Sequence, residues 1–302
     1  MLTWLTVIAS LIVMNMPESG LEDKVLQSTR PLFTFGVIAD VQYCNCEPAG
    51  TRYYSLSTGR LKEAVGSFRA DSVNFVINLG DLIERDYESF GPVLSILDSS
   101  DLKVFHVTGN HDYSVENRLR KKIPVPMPSQ EGYYSFSFRN YRFIALNGNE
   151  ISTYAYANRG IIRKAEKYLG EIKESGSINA FDWNGGISER QLEWLKDQLD
   201  ISKDAGEKVF ILCHFPVFPE NVHNLLNYEE VNSLLMNYDN IIAWFSGHNH
   251  AGNYGNFNMI HFVTFRGMVE TAERNSFAVV EVYPNKIWIK GSGREKSQIL
   301  AY

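Results

Sequence analysis

Five short apolar runs, rich in β-branched and aromatic residues, recur along the chain from Pro31 onward. They cover residues 33–39, 73–79, 104–107, 209–212 and 241–245. Runs of this length and composition are typical of strands that are buried on both faces. The chain shows no low-complexity tract, charge block or evident internal repeat.

Segments whose apolar residues have helical spacing lie between some of these runs. The first predicted helix has its apolar positions at Leu61, Ala64, Val65 and Phe68. A second helix is predicted after Ser188, because Ser188 and Gln191 have the spacing of a capping box. The apolar positions of that helix are Leu192, Leu195 and Leu199.

Two further pairs of runs have the pattern of β-hairpins. Residues 133–138 pair with residues 141–146, and residues 277–282 pair with residues 287–290. Short polar or proline-containing turns join the two runs of each pair. Together these elements predict an α/β layered domain with antiparallel strands at its edges.

Composition narrows the class of protein. A length of 302 residues, 44% of them hydrophobic, is enough for a sizeable core and excludes disorder over most of the chain. Three cysteines are too few for a disulfide scaffold, so the core must be hydrophobic. The net charge of −6 gives no general attraction to nucleic acid or an anionic membrane. An anionic substrate would therefore need a local source of positive charge, such as a metal.

The amino terminus differs from the rest of the chain. Residues 2–16 are largely apolar, but the run is shorter than the roughly 20 residues that span a bilayer. No lysine or arginine precedes it, and no clear signal-peptidase site follows it before Pro17. We expect residues 1–30 to be an apolar leader or flexible segment and residues 31–302 to be one domain. A cytoplasmic location is favoured, with export or membrane anchoring through residues 2–16 as the alternative.

The residues that follow the five strands carry the candidate chemistry. The strands run, in order, into Asp40 with Gln42, Asp81, Asn110 with His111, His214, and His248 with His250. Open α/β sheets bind ligands outside the carboxyl ends of their strands, so these side chains are expected to converge.

Each of these residues has an ordinary structural explanation when it is taken alone. An aspartate after a strand often caps a turn, Asn110 with Gly109 is a turn signal, and a histidine can be a satisfied semi-buried side chain. These explanations give no reason why five apolar strands should all end at Asp, Asn or His. Glycine also precedes three of the sites, where it lets an ion or phosphate come close.

Mixed carboxylate, amide and imidazole ligands suit Mn²⁺, Fe²⁺ or Zn²⁺ in an open catalytic site. Seven candidates are too many for one ion. Two ions about 3.5 to 4 Å apart that share a carboxylate would use them fully, and such a pair is the usual device for displacement at phosphorus.

Five sequence blocks occur in a characteristic order. They are Asp-x-Gln at residues 40–42, Gly-Asp at 80–81, Gly-Asn-His-Asp at 109–112, the lone His214, and Gly-His-x-His at 247–250. This order resembles the calcineurin-like metallophosphoesterase superfamily. Most of that superfamily has His where this chain has Gln42, a difference typical of the manganese-dependent ADP-ribose/CDP-alcohol diphosphatase family. The similarity runs from about Phe33 to Arg294, and residues 151–180 are weakly matched.

The resemblance implies a four-layer α/β/β/α sandwich with mixed sheets and a site at the carboxyl ends of the central strands. It implies two divalent ions, Mn²⁺ being expected, with Fe²⁺ and Zn²⁺ as alternatives. One ion would be held by Asp40, Gln42, Asp81 and His250, and the other by Asp81, Asn110, His214 and His248. A hydroxide between the ions is the expected nucleophile.

The resemblance also gives His111 a catalytic role. It implies that His111 contacts the scissile phosphate and either stabilises charge or protonates the leaving oxygen. The alternative is structural support of the ligands together with Asp112.

Residues that would contact the substrate are less distinctive. The candidates are Arg52, Tyr53, Asn184, Gly185 and His223. An arginine suits a phosphate and a tyrosine suits a base, but the same residues also occur as ordinary surface and core. Cys213 is expected in the core, and Cys44 with Cys46 is either a metal pair or, as we expect, part of a plain loop.

The chain is therefore predicted to be a hydrolase that cleaves the diphosphate bond of ADP-ribose, CDP-alcohols or similar nucleoside diphosphate conjugates. The alternatives are a phosphodiesterase or phosphomonoesterase on other small phosphoesters, and a non-catalytic scaffold of the same fold. The complete ligand set and the presence of His111 argue against the scaffold. We expect a small nucleotide-type phosphoanhydride substrate, no nucleic-acid partner, no stable membrane span and a monomer.

Overall fold

Twelve strands, five α-helices and four short 3-10 helices make up the regular structure of the residues that the computed structural model describes, 30–156 and 158–302. The strands are β1 (Phe33–Ile38), β2 (Phe75–Asn78), β3 (Val104–His106), β4 (Tyr134–Phe138), β5 (Tyr141–Ala145), β6 (Lys208–Leu212), β7 (Ile241–Ser246), β8 (Asn253–Phe257), β9 (Ile260–Thr264), β10 (Ser276–Tyr283), β11 (Lys286–Gly293) and β12 (Gln298–Ala301). The helices are α1 (Ser57–Ala70), α2 (Phe90–Asp98), α3 (Arg159–Glu174), α4 (Glu189–Asp204) and α5 (Tyr228–Leu235).

The strands form two six-stranded mixed sheets. The first has the order β12-β11-β10-β1-β2-β3, and the second has the order β4-β5-β6-β7-β9-β8. Pairing is parallel along β1-β2-β3 and along β5-β6-β7-β9, and the remaining neighbours pair antiparallel. Both predicted hairpins are confirmed, as β4 with β5 and as β10 with β11.

An aromatic core fills the space between the two sheets. Phe35 of β1 is fully buried, stacks on Phe75 at a ring-centre distance of 5.3 Å and meets Phe143 of the second sheet edge-on at 5.6 Å. Helices α1 and α2 cover the outer face of the first sheet, and α4 and α5 cover that of the second. The predicted four-layer α/β/β/α sandwich is therefore confirmed.

Helix α4 begins after Ser188 as predicted, but its capping box is incomplete. Ser188 Oγ accepts a hydrogen bond from Gln191 N at 3.3 Å. The Gln191 side chain turns away from Ser188 and bonds both the N–H and the C=O of Asn147, at 2.8 and 2.9 Å. Gln191 therefore ties α4 to the end of β5 instead of returning to its own helix start.

Four further sequence predictions concern the leader, a membrane span, the Cys44 and Cys46 pair, and Cys213. The leader predicted over residues 1–30 lies, up to residue 29, outside the described residues. Across the described ranges, no helix combines the length and apolar character needed to cross a membrane. The sulfurs of Cys44 and Cys46 lie within bonding distance of each other in the loop after β1. Cys213 is buried in the core between the second sheet and its helices, as predicted.

A matched pair of glycine substitutions tests the packing of α1 on the first sheet. Gly36→Ala puts a Cβ 2.8 Å from the Phe68 ring, so we expect the free energy of unfolding to fall by about 1 to 3 kcal/mol. Gly66→Ala is the control, because a Cβ on this exposed position of α1 meets nothing within 4 Å. It should raise the free energy of unfolding by about 0.4 to 1 kcal/mol. Urea denaturation measures both, and a Gly36→Ala protein as stable as the parent would contradict the packing.

Candidate metal centre

The turns that follow β1 and β2 are joined side by side at the carboxyl edge of the first sheet. Asp40 N donates to Gly80 O at 3.1 Å, and Gln42 N donates to Asp81 O at 2.8 Å. These backbone hydrogen bonds bring the first three predicted ligands together.

The turns that follow β6 and β7 in the second sheet meet the same place. Gly247 N donates to His214 O at 2.9 Å. His248 N lies 3.2 Å from both carboxylate oxygens of Asp40. The predicted convergence of strand ends therefore occurs where the edges of the two sheets face each other.

Four of the predicted ligands have a left-handed backbone conformation, which residues other than glycine rarely adopt. Their φ angles are 51° at Asp40, 41° at Gln42, 55° at Asp81 and 67° at His248. Each such residue costs on the order of 1 to 3 kcal/mol and persists only where the surrounding structure holds it. Strain at four residues after three strand ends in one place is typical of a functional site, where side-chain direction matters more than local stability.

Two glycines lie against the buried carboxylates. A Cβ on Gly109 would overlap Oδ1 of Asp81, and a Cβ on Gly247 would lie 2.7 Å from Oδ2 of Asp40. From the sequence, we attributed the glycines at these positions to the close approach of an ion or phosphate. The structure gives a further reason, since any larger residue would displace the carboxylates themselves.

One group of predicted ligands surrounds Asp81 on the side of the second sheet. His214 Nε2 is 3.3 Å from Asp81 Oδ2 and 3.2 Å from Asn110 Oδ1. One donor atom from each of Asp81, His214 and His248 lies within 4.8 Å of the other two. A carboxylate, an amide oxygen and two imidazoles in such proximity are suited to hold one divalent cation.

A second group lies on the other side of Asp81. Gln42 Nε2 is 3.1 Å from Asp81 Oδ2 and 3.2 Å from His250 Nε2, and His250 Nε2 is 3.4 Å from Asp40 Oδ1. Gln42 Oε1 is buried and has no hydrogen-bond partner among the described residues. Such an oxygen costs about 1 to 3 kcal/mol, and coordination to a cation would satisfy it. Because Asp81 belongs to both groups, the residues present fit two cations that share its carboxylate.

The buried charges attract positive charge into this site. Burial lowers the pKa of His214, but the Asp81 carboxylate outweighs it and raises that pKa to about 9. Burial likewise opposes the cation at His250, whose pKa is nevertheless raised to about 9, chiefly by Asp40. Burial and the neighbouring His214 lower the pKa of His248 far below its usual range. Divalent cations would compete with protons for the same positions.

Asp112 supports the site from behind. Its carboxylate accepts backbone hydrogen bonds from Gly109 at 2.9 Å, Asp81 at 3.0 Å and Leu82 at 2.8 Å. These bonds join the end of β3 to the end of β2. Asp112 therefore fixes the left-handed turn that aims Asp81 into the site.

Further side chains orient the histidines. Glu270 Oε1 lies 2.8 Å from His250 Nδ1, and Asn184 Oδ1 lies 2.9 Å from His248 Nε2. A hydrogen bond at one ring nitrogen leaves the other nitrogen available to a metal. The sequence analysis missed the role of Glu270, because this residue follows β9, a strand that the pattern of apolar runs did not identify.

His111 lies beside the ligands with its ring held in place. Its backbone N–H donates to Asp81 Oδ1 at 2.8 Å. Its Nδ1 is 3.0 Å from Glu84 O and 3.2 Å from Glu84 Oε2. With Nδ1 engaged, Nε2 is the nitrogen available to a group bound in the cavity that His111 lines.

A cavity of about 360 Å³ opens over the candidate ligands. It is lined by Gln42, Arg52, Asp81, Asn110, His111, Trp183, His223, His248 and His250. Two of the predicted substrate contacts, Arg52 and His223, belong to this lining. Arg52 Nε lies 3.7 Å from Glu270 Oε1. Trp183 was not predicted, because nothing in its local sequence distinguishes it from a core tryptophan.

The other three predicted substrate contacts lie elsewhere. Asn184 is buried against His248, and Gly185 packs so closely on Gly148 that a Cβ would overlap the Gly148 carbonyl oxygen. The backbone N–H of Tyr53 donates to Val269 O at 2.9 Å. None of these three is among the described residues that line the cavity. As substrate contacts they stay predictions.

This sandwich, with two ligand groups around a shared aspartate, defines a dinuclear metal-dependent hydrolase of phosphate compounds. The family described as calcineurin-like phosphoesterase matches residues 33–252, well over half of the chain. The chain belongs to this family.

Named relatives are similar to this chain over almost its whole length. Proteins named manganese-dependent ADP-ribose/CDP-alcohol diphosphatase are 30% identical in Homo sapiens, covering 91% of this chain and 94% of the relative, and 29% identical in Xenopus laevis, covering 92% and 94%. A crystal structure described as a dimetal phosphatase from Danio rerio is 28% identical and covers 90% of this chain and 99% of its own, with a TM-score of 0.81. The family resemblance inferred from the motifs is confirmed.

Replacement of Asp112 tests its support of the turns. Asp112→Ala leaves three backbone N–H groups without their acceptor, so we expect the metal-free protein to lose about 3 kcal/mol or more of unfolding free energy. Asp112→Asn keeps one carbonyl oxygen and should lose less. Asp98→Ala, at an exposed carboxylate that ends α2, should change stability by less than about 0.5 kcal/mol. Urea denaturation in chelator measures all three; equal stability of the two alanine variants would refute the assignment.

Proposed function

We propose that this protein hydrolyses the diphosphate bond of ADP-ribose, CDP-alcohols or similar nucleoside diphosphate conjugates, with manganese as its metal. The observation that carries the proposal is the pair of ligand groups that share the buried Asp81 beneath one cavity. The names and coverage of the human and Xenopus laevis relatives support the choice of substrate and metal.

In the proposed centre each cation has four protein ligands. One is held by Asp40, Gln42, Asp81 and His250, and the other by Asp81, Asn110, His214 and His248. The buried Oε1 of Gln42, which lacks a partner among the described residues, supports the first set. The mutual proximity of Asp81, His214 and His248 supports the second. When bound, two such cations supply Lewis acidity at phosphorus and lower the pKa of a water that attacks it.

We assign charge stabilisation at the scissile phosphate to His111. Its ring is fixed through Nδ1 by Glu84, so Nε2 can contact a phosphoryl oxygen without reorganisation as negative charge develops there. A phosphate monoester released from a diphosphate is already a good leaving group, so proton donation by His111 matters less than this electrostatic contact.

Arg52 is the proposed contact for the second phosphate. Its side chain is 37% exposed at the cavity and lies near Glu270. A guanidinium in this position can exchange that partner for a phosphate oxygen. Together with the cations, it gives an acidic chain the local positive charge that a diphosphate requires.

A substrate panel tests the proposal. The full-length protein is assayed with ADP-ribose, CDP-choline, a cyclic nucleotide and p-nitrophenyl phosphate, in Mn²⁺ and in chelator. We expect the two diphosphates to be the best substrates and all turnover to stop in chelator, because the cations would activate the water that attacks phosphorus. Preference for the cyclic nucleotide would replace the proposal with a phosphodiesterase. Absence of turnover on all four with metal present would indicate a non-catalytic protein.

Two substitutions separate metal binding from chemistry. Asp81→Ala should abolish turnover and lower the metal content at both positions, because this carboxylate is proposed to bridge them. His111→Ala should keep the full metal content and lower kcat by about 100- to 1,000-fold, as expected for loss of one group that stabilises transition-state charge. Metal analysis of dialysed protein and steady-state kinetics measure the two effects. Full retention of one ion in Asp81→Ala would exclude bridging, and metal loss in His111→Ala would make His111 a structural residue.

A further inference from the structure

Trp183 and Phe181 form an exposed aromatic pair at the rim of the cavity. Their ring centres are 4.1 Å apart and their planes differ by 13°. Trp183 is 40% exposed and Phe181 is 37% exposed. Single exposed apolar residues are common on proteins, but two stacked aromatic rings beside a polar cavity leave a large apolar face in water.

The pair is held rigidly by the turn that carries it. Asn184 N donates to Phe181 O at 3.2 Å and closes this turn. The Asn184 side chain is buried and donates from Nδ2 to Asn179 O and Val222 O, both at 2.8 Å. Phe181 stacks on the Trp183 indole, and Trp183 also lines the cavity. The indole is therefore preorganised, so a ligand that stacks on it loses little affinity to side-chain ordering.

The same turn is tied to the candidate metal centre. Asn184 Oδ1 lies 2.9 Å from His248 Nε2. The neighbouring His223 follows Val222, and its ring centre is 5.5 Å from that of His248. Trp183 and His223 thus stand on two segments that are both anchored around one candidate ligand. The distance from the aromatic rim to the metal end is fixed by these contacts.

The cavity lining therefore has two chemically different parts, the candidate metal ligands (the metal end) and the Trp183 indole (the aromatic end). Eight of its nine described lining residues are charged or polar, and Trp183 is the remaining one. The volume of about 360 Å³ lies within the range of small-ligand sites, about 300 to 1,000 Å³. A ligand that fits both ends carries phosphate at one end and a flat apolar group at the other.

We propose that Trp183, backed by Phe181, is the platform on which the base of the substrate stacks while its phosphates lie at the metal end. The inference rests on the proposed function and deepens it, because it assigns the residue that selects nucleotides. Stacking uses the π-face that every base presents. It therefore accepts adenine and cytosine alike, which suits a single site for ADP-ribose and CDP-alcohols.

Two ligands that differ only in the base test the platform. AMP and ribose 5-phosphate share the sugar and the phosphate, so calorimetric titration of the full-length, Mn²⁺-loaded protein isolates the contribution of adenine. The parent protein should bind AMP more tightly than ribose 5-phosphate. Trp183→Ala should weaken AMP and CMP binding by about 5- to 100-fold and leave ribose 5-phosphate binding unchanged. Trp183→Phe keeps a flat face and should retain most of the preference.

Phe257→Ala is the matched control. Phe257 is an aromatic residue of β8 that is 52% exposed, and it is not among the described residues that line the cavity. Its replacement should leave the binding of AMP, CMP and ribose 5-phosphate unchanged. Phe181→Ala, which removes the support of the indole, should weaken AMP binding less than Trp183→Ala does.

The outcomes separate this inference from the proposed function. No preference for AMP in the parent protein, or equal weakening of AMP and ribose 5-phosphate in Trp183→Ala, would overturn the platform. Because the test measures binding and does not depend on hydrolysis of a diphosphate, a preference that disappears only in Trp183→Ala supports the platform even if ADP-ribose is not hydrolysed. Absence of ADP-ribose hydrolysis would overturn the proposed substrates. A retained preference for AMP would then leave a nucleotide site with a different reaction.

Discussion

The burial of two carboxylates between the sheets is the constraint on which the rest of the site depends. Asp40 and Asp81 are almost completely buried, and an isolated ionised carboxylate is strongly disfavoured in a protein interior. They persist because His250 and His214 lie 3.4 and 3.3 Å from their oxygens, and because backbone N–H groups donate to them. The imidazoles alone balance this charge only when they are protonated. Divalent cations would balance the carboxylate charge without protonated imidazoles. The same buried carboxylates that destabilise the metal-free protein therefore favour metal binding.

Such a cluster requires surroundings that do not relax. The left-handed turns at Asp40, Gln42 and Asp81 would open if the strands beneath them were free to move. The aromatic core between the sheets prevents that movement from below, and the Asp112 carboxylate holds the turns from the side. The hydrophobic layers thus do more than stabilise the domain: they supply the rigidity on which the direction of each ligand depends.

The sequence predicted those parts of the fold whose signals are local. The buried parallel strands are apolar along their whole length, and their ends carried the candidate ligands, so strand position and chemistry pointed to the same edge. Strand β8 was missed because its residues, from Asn253 to Phe257, are largely polar and exposed. Gln191 has the capping-box spacing, but its side chain bonds the backbone of Asn147 instead. This partner follows β5 and is distant in sequence, so the local pattern could not predict it. The contacts of Glu84 and Glu270 with histidines likewise exist only once the sheets are assembled.

The metal end and the rim of the cavity differ in how their side chains are held. This difference explains how one family can serve several substrates. The metal end consists of buried side chains whose positions are set by both sheets, so nearly any change there disturbs the metal. The rim includes the exposed Trp183 and the half-buried His223, both on loops. A change of rim side chain alters what lies above the phosphates and leaves the buried ligands in place. Asn184 contacts both parts, through His248 on one side and the Trp183 turn on the other. Within the proposed function, the rim would select the substrate, and the buried ligands would set the reaction.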